Sequence, residues 1–410
     1  MAARESRILA GLAQRVVLLT TKIASRAGLR VRAARLLGWM RAAPFILLAM
    51  GCTVAVAPAS RAEVPAGRLD TLARGINLTN WFRFPPRQND DFFRDYISKA
   101  ALARLHRIGF TFVRLAVQPE LMLRADGGPD AHRLALLAGA VARIERQHLG
   151  VVVGFHPQTW HLETSPANRQ DLLDLWGALA ARLRPLDPAL TFPEVLNEPV
   201  FPKDEAGWEA LQRTLLARIR AELPRATVML TGNDWGSIDG LLGLQPVADQ
   251  DVIYSFHIYE PAVLTTLGGF ASDLDHAALA HLPFPVLGDH ACDAALSATT
   301  QQRTQDVIRF YCAQHWDAAK LRARVDQAAA WGRRNHVAVI AGEFGASDQL
   351  PPATRLAWIA TMRRAFEADG MGWALWGYDD SMGFDIHPDR YPRRALDPAL
   401  LRALGLAPHA

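Results

Sequence analysis

Eight short apolar runs, interleaved with stretches of helical spacing, are laid end to end between Arg74 and Leu404. They read RGINLTN (74–80), FTFVRLAV (110–117), LGVVVGFH (149–156), LTFPEVLNEPV (190–200), TVMLT (227–231), DVIYSFHIY (251–259), VAVIAGEFG (337–345) and GWALWGY (372–378). Runs that stay apolar along their length, instead of alternating, belong to strands buried on both faces, the condition of a parallel sheet wrapped in helices. The intervening segments supply those helices: 95–108, with Ile97, Leu102 and Leu105 on one face, then 131–147, 168–183, 206–223, 317–335, 352–369 and a closing 398–404. The pattern predicts the α/β class and, within it, a (β/α)8 TIM barrel built as a single domain.

An open doubly wound sheet has the same periodicity. The barrel is favoured because polar and charged residues gather at the carboxyl ends of many runs, as a ring of loops around one mouth requires. No G-x-G-x-x-G follows the first run and no P-loop occurs, which leaves dinucleotide and nucleotide binding without support.

Charge divides the chain in two. Residues 1–62 hold ten Lys or Arg against Glu5 alone, whereas residues 63–410 carry 35 basic and 40 acidic residues. The body of the protein is thus mildly acidic, with no basic stripe for nucleic acid. The first part reads as a targeting segment: an apolar run over 42–60, flanked by Arg41 and Arg61, ends in small residues suited to a signal peptidase at Ala57-Pro58-Ala59 or Ser60-Arg61-Ala62. Met40 would open a signal of ordinary length, so translation is expected to start there. Export, secreted or periplasmic, is the expectation. Left uncleaved, the same segment is long enough for a membrane anchor, and that is the one membrane contact expected. Cys52 is a weaker, lipoprotein-like site. Beyond the segment, Cys292 and Cys312 remain, and an even number in an exported chain permits one disulfide, closing a loop worth about 3 kcal/mol in the chain-entropy account. Two buried thiols are the alternative.

The run ends hold the candidate site. Glu198 and Glu343 close the fourth and seventh runs. Arg114 lies inside the second, where a charge needs a partner, either as a structural ion pair or to hold a catalytic carboxylate ionised. His156 ends the third and is followed by His161 and Glu163, a trio whose loop spacing lacks the logic of a metal site; neither metal nor cofactor is expected. His257 and Tyr259, two residues apart, share a face of the sixth, and the Tyr259 hydroxyl either donates to a carboxylate across the mouth or is satisfied by backbone. Trp376 closes the eighth, and Trp81, Trp160 and Trp235 follow the first, third and fifth. Aromatic rings around one mouth suit stacking on pyranose faces, although most tryptophans are packing.

Taken in order, Arg114, His156, Asn197-Glu198-Pro199, His257 with Tyr259, Glu343 within GEFG and Trp376 resemble glycoside hydrolase family 5, the cellulase family. The opening RGINLTNWF is similar to that family's first-strand segment, and the likeness spans about Arg74 to Asp380. The resemblance implies a retaining β-glycosidase with Glu198 as acid/base and Glu343 as nucleophile. Glu343 must then be ionised, which Arg114 and Tyr259 would favour, while Glu198 begins protonated because of its charged neighbour. Asn197 is expected on the sugar 2-hydroxyl, and His156 and His257 as positioning groups. The family's centre of gravity points to an endo-β-1,4-glucanase acting on a polysaccharide or oligosaccharide, as a monomer. A β-mannanase, a β-1,3-glucanase or a non-catalytic glucan-binding barrel are the alternatives, since 260–316, with both cysteines, matches no substrate-defining pattern.

Overall fold

The computed structural model describes residues 64–269, 271–387 and 395–407. The targeting segment, with Met40 and Cys52, lies outside the described residues.

Eight parallel strands close into a barrel in sequence order: β1 (Arg74–Phe82), β2 (Phe112–Val117), β3 (Gly150–Phe155), β4 (Thr191–Glu194), β5 (Val228–Thr231), β6 (Val252–Ile258), β7 (Ala338–Phe344) and β8 (Gly372–Leu375), with β8 paired back onto β1. Helices surround it: α1 (Ala66–Thr71), α2 (Asp90–Asp95), α3 (Lys99–Ile108), α4 (Ala131–Glu145), α5 (Pro166–Leu183), α6 (Glu205–Glu222), α7 (Ile238–Gly243), α8 (Gln302–Ala313), α9 (Ala318–Asn335), α10 (Pro352–Ala368) and α11 (Pro398–Ala403). Three further short helices, Ala262–Thr265, His276–Leu279 and Asp293–Ser297, fill the long connection after β6. Among the described residues, no helix is long and apolar enough to cross a membrane.

Two expectations change, and one element is new. The helix read over 95–108 is two helices, because Ser98 is extended and its hydroxyl accepts the Ala101 N–H at 3.1 Å, starting α3 afresh. The run 190–200 is a strand only to Glu194, and the rest is irregular. The amino-terminal helix α1 had no periodic signal; it is held to the barrel by Arg68, which pairs with Asp251 at 2.7 Å and donates to Thr227 at 2.8 Å.

The barrel interior is layered. Leu72, Phe112, Val152, Phe192, Met229, Ile253, Ile340 and Ala374 form one buried apolar cluster. Gly75 on β1 leaves room for it, since a Cβ there would fall 2.2 Å from the Phe112 ring. The eight side chains contribute about 1.5–3 kcal/mol each for the larger ones, and they set the floor on which the next layer stands.

Candidate active site

A strand returns its side chains to the same face every second residue, so the layer above the apolar cluster is set by the positions two further on. Above Phe112 stands Arg114, above Phe192 stands Glu194 and above Gly75 stands Asn77, all fully buried. The Arg114 Nε donates to Glu194 Oε2 at 2.8 Å, its Nη1 to Asn77 Oδ1 at 2.9 Å and to Glu343 Oε1 at 2.6 Å, and its Nη2 to Asn197 Oδ1 at 2.8 Å. Gly154 on β3 makes space for this network, because a Cβ would sit 2.3 Å from Glu194 Oε2.

Glu343 lies on β7 where the register with both neighbouring strands shifts, a local irregularity that re-aims side chains. Its second oxygen, Oε2, accepts the Tyr259 hydroxyl at 2.9 Å. The His257 Nδ1 lies 3.0 Å from Glu198 Oε1 and 3.5 Å from Glu343 Oε2. One oxygen of each glutamate and a ring nitrogen of His257 all lie within 4.8 Å of one another. Glu198 reaches this point from the irregular segment after β4. That segment is anchored by the Trp176 indole on α5, which donates to Val195 O at 2.8 Å, and by the Asn197 N–H, which donates to Phe155 O at 2.9 Å. Glu198 itself has φ +44°, a left-handed backbone that a non-glycine residue adopts only under constraint.

Charge distribution separates the groups. Burial alone would raise the Glu343 pKa, but the charges of His257, Arg114 and Arg83 and the Tyr259 hydrogen bond outweigh it, so the carboxyl sits below its ordinary range. Burial opposes charging of His257, yet the Glu343 carboxylate and the hydrogen bond to Glu198 prevail and raise its pKa. His156 goes the other way: burial, then the nearby Arg114, Arg83 and His257, push it well below the usual value and keep the ring neutral. Burial and the adjacent Glu343 carry the Tyr259 hydroxyl well above its ordinary value, so it remains a donor.

Around this centre, the His156 ring stacks on Trp376 with centroids 6.1 Å apart, and neither of its nitrogens has a protein partner. Trp235 follows β5 with φ +63°, and its N–H donates to Pro199 O at 3.1 Å, which ties it to the Glu198 segment. Trp160, after β3, is likewise half-buried. Trp81 is a correction: it is fully buried, its indole donates to Phe93 O at 2.9 Å, and it stacks on Tyr96, so it packs the interior instead of facing a groove. His161 is exposed and lies 3.4 Å from Glu163, away from the buried His156, so that trio does not converge. Among the described residues, the set of three potential metal donors that does converge is Glu198, His257 and Glu343. Those donors already serve one another, Arg114 and Tyr259, and the Arg114 charge at 2.6 Å from Glu343 opposes a cation there.

Four residues were given no role by the sequence reading. Glu194 was legible in principle, since a carboxylate inside an apolar run needs a buried partner as much as Arg114 does. Asp379, fully buried, accepts the Thr79 N–H and hydroxyl at 2.8 Å each, the Asn80 N–H at 2.8 Å and the Tyr96 hydroxyl, fastening the end of β8 to β1. Asp380 accepts the Met382 N–H at 2.9 Å, and burial raises its pKa to about 6. Arg83, just beyond β1, has its guanidinium 5.4 Å from the Trp376 ring centroid and 4.6 Å from that of Phe84. Nothing in the run FRFPP marks it as a site residue.

The connection after β6 carries Cys292 and Cys312, joined as a disulfide with Cα atoms 6.4 Å apart.

The chain is similar to several known proteins. Endoglucanase 3 of Fibrobacter succinogenes is 25% identical over 335 residues, which are 75% of this chain and 49% of that protein. The chain thus spans about half the length of this relative. Endoglucanase C of Acetivibrio thermocellus is 23% identical over 330 residues, 78% of this chain and 94% of that one. The solved endoglucanase Cel5A of Thermotoga maritima superposes with a TM-score of 0.64 at 21% identity, covering 83% of this chain and 99% of that one, a likeness of fold. The pattern of the cellulase family matches residues 72–381, from the residue that enters the barrel's apolar floor to the one after Asp380. The chain belongs to the cellulase family, glycosyl hydrolase family 5.

Proposed function

We propose that this protein hydrolyses β-linked glucan with retention of anomeric configuration, by double displacement between Glu343 and Glu198. Glu343 attacks the anomeric carbon as a carboxylate while Glu198 gives its proton to the departing glycosidic oxygen. Water then displaces Glu343 from the glycosyl ester, and Glu198 takes the water's proton. The observation that carries this reading is the approach of the two carboxylates, with oxygens within 4.8 Å. Retaining enzymes hold their carboxyl groups about 5–5.5 Å apart, whereas inverting ones need about 6.5–9.5 Å to seat a water. Because the Asn197 Oδ1 is taken by Arg114 at 2.8 Å, its amide N–H groups remain to donate to the sugar 2-hydroxyl.

An endo-acting β-1,4-glucanase is the favoured form, since both curated relatives are named endoglucanases. The test has two parts. A reducing-sugar assay on carboxymethylcellulose, β-1,3-glucan, mixed-linkage glucan, mannan and xyloglucan identifies the chain hydrolysed. Proton NMR of the first product then reads the anomer, and α-product from a β-linked substrate overturns double displacement. Residues 1–62 are proposed to direct export, with the catalytic domain over 63–410, and the Cys292–Cys312 bridge supports an oxidising destination. Amino-terminal sequencing of the mature protein tests this.

A further inference from the structure

Arg83 adds to the positive field that keeps Glu343 ionised, but no hydrogen bond fixes its guanidinium to any group of the site. Its Nε is sealed from solvent and meets no acceptor, although the side chain as a whole keeps partial exposure. Among the described residues, no hydrogen bond or ion pair to Arg83 is found. Other part-buried arginines meet fixed acceptors: Arg68 pairs with Asp251 at 2.7 Å, Arg114 with Glu194 at 2.8 Å, Arg220 with Asp249 at 2.6 Å and Arg324 with Glu260 at 2.7 Å, while Arg355 donates to Ala346 O at 2.8 Å. A buried guanidinium N–H with no hydrogen-bonded acceptor is costly, so this one is free to take an acceptor from outside.

The surroundings say where that anion would sit. Arg83 lies against Trp376, the aromatic ring of the site, and within the field of Glu343, Glu198 and Asp380. Support of Glu343 does not account for it, because that carboxylate already has Arg114 at 2.6 Å and Tyr259 at 2.9 Å. The fork of the guanidinium matches a planar carboxylate with two parallel hydrogen bonds. A phosphate dianion would bring twice the repulsion toward Glu343.

We propose that Arg83 is a specificity-determining residue that binds the carboxylate of a uronosyl unit, so that the preferred substrate is an acidic β-glycan with the charged ring at or beside the sugar held by Trp376. This rests on the glycan-hydrolysing reading of the same site.

The test is calorimetric binding to the full-length Glu198→Gln protein, which keeps the charge on Glu343 while slowing turnover by about 10²–10⁴-fold. The probes are cellotetraose and a set of cellotetraoses with one glucosyl ring replaced by glucuronosyl, at each position in turn. At least one acidic probe is expected to bind about tenfold more tightly than cellotetraose, and about 0.5 M salt (roughly threefold above physiological strength) to narrow the gap. Arg83→Gln in the same background is expected to bring the ratio to about one, while Arg83→Lys, which keeps the charge and loses the fork, gives an intermediate ratio. Acidic probes that bind no better than cellotetraose overturn the proposal, as does a preference that survives Arg83→Gln or a stronger preference for a 6-phosphorylated probe. Failure of the glycanase reading looks different: the wild-type protein releases no reducing ends from any glycan, whatever the binding ratio.

Discussion

Arg114 and Glu194 form a fully buried ion pair, Nε to Oε2 at 2.8 Å, and that pair holds the guanidinium whose other edge meets Glu343. One cation therefore answers two buried carboxylates. Arg114→Met leaves both without it, and the expected loss is about 3–5 kcal/mol of stability together with nearly all activity. Thermal unfolding checks the first and the glycan assay the second.

Substitution of the proposed catalytic pair separates chemistry from fold. Glu343→Gln is expected to lose more than about 10⁴-fold in kcat, as removal of a covalent nucleophile does, with an unchanged circular dichroism spectrum. Glu198→Gln is expected to lose about 10²–10⁴-fold, with less effect on substrates whose leaving group needs no proton, such as a dinitrophenyl glycoside. An equal loss on both substrate types would remove Glu198 as the acid.

Tyr259→Phe deletes one of the interactions that keep Glu343 below the ordinary carboxylate range. The hydrogen bond favours the ionised form, so its loss raises the Glu343 pKa and moves the acidic limb of the kcat/KM profile to higher pH. A profile of unchanged shape would show that the hydroxyl acts on substrate alone.

Asp380 titrates at about 6 in the folded protein because burial disfavours its charged form. A carboxyl raised above its unfolded value binds more protons folded than unfolded, so its cost to stability is absent at pH 3, grows as pH rises, and is complete above pH 6. Asp380→Asn is therefore expected to raise Tm at pH 8, by up to about 3 kcal/mol equivalent, and to leave it unchanged near pH 3. The Met382 N–H keeps an acceptor in the variant.

Breaking the Cys292–Cys312 bridge with paired serines opens a loop of 20 residues' separation. The expected cost is about 3 kcal/mol, read as a lower denaturation midpoint. Activity at 25 °C should be little changed, because neither cysteine contacts the glutamates.

The barrel was legible because buried parallel strands announce themselves by unbroken apolar runs, and because the residue after each run falls on the mouth. That geometry brought Arg114, Asn197, Glu198, His257, Tyr259 and Glu343 to one point from four strands, β2, β4, β6 and β7. What stayed hidden depends on partners remote in sequence. Glu194 takes its meaning from Arg114, 80 residues away, and Asp379 from Thr79, 300 residues away. Trp81 misled for the same reason: position after a strand says nothing of which way an indole turns, and Phe93 O claims this one. Ser98 was readable as a helix start, but the apolar spacing ran across it.

The left-handed backbone at Glu198, φ +44°, sets evolution and engineering at odds. Glycine relaxes in that conformation while any other residue resists it, on the order of 1 kcal/mol. Selection for heat resistance alone would thus drift toward Glu198→Gly, a sturdier barrel without the proposed acid, and under that proposal only selection for turnover keeps the glutamate there.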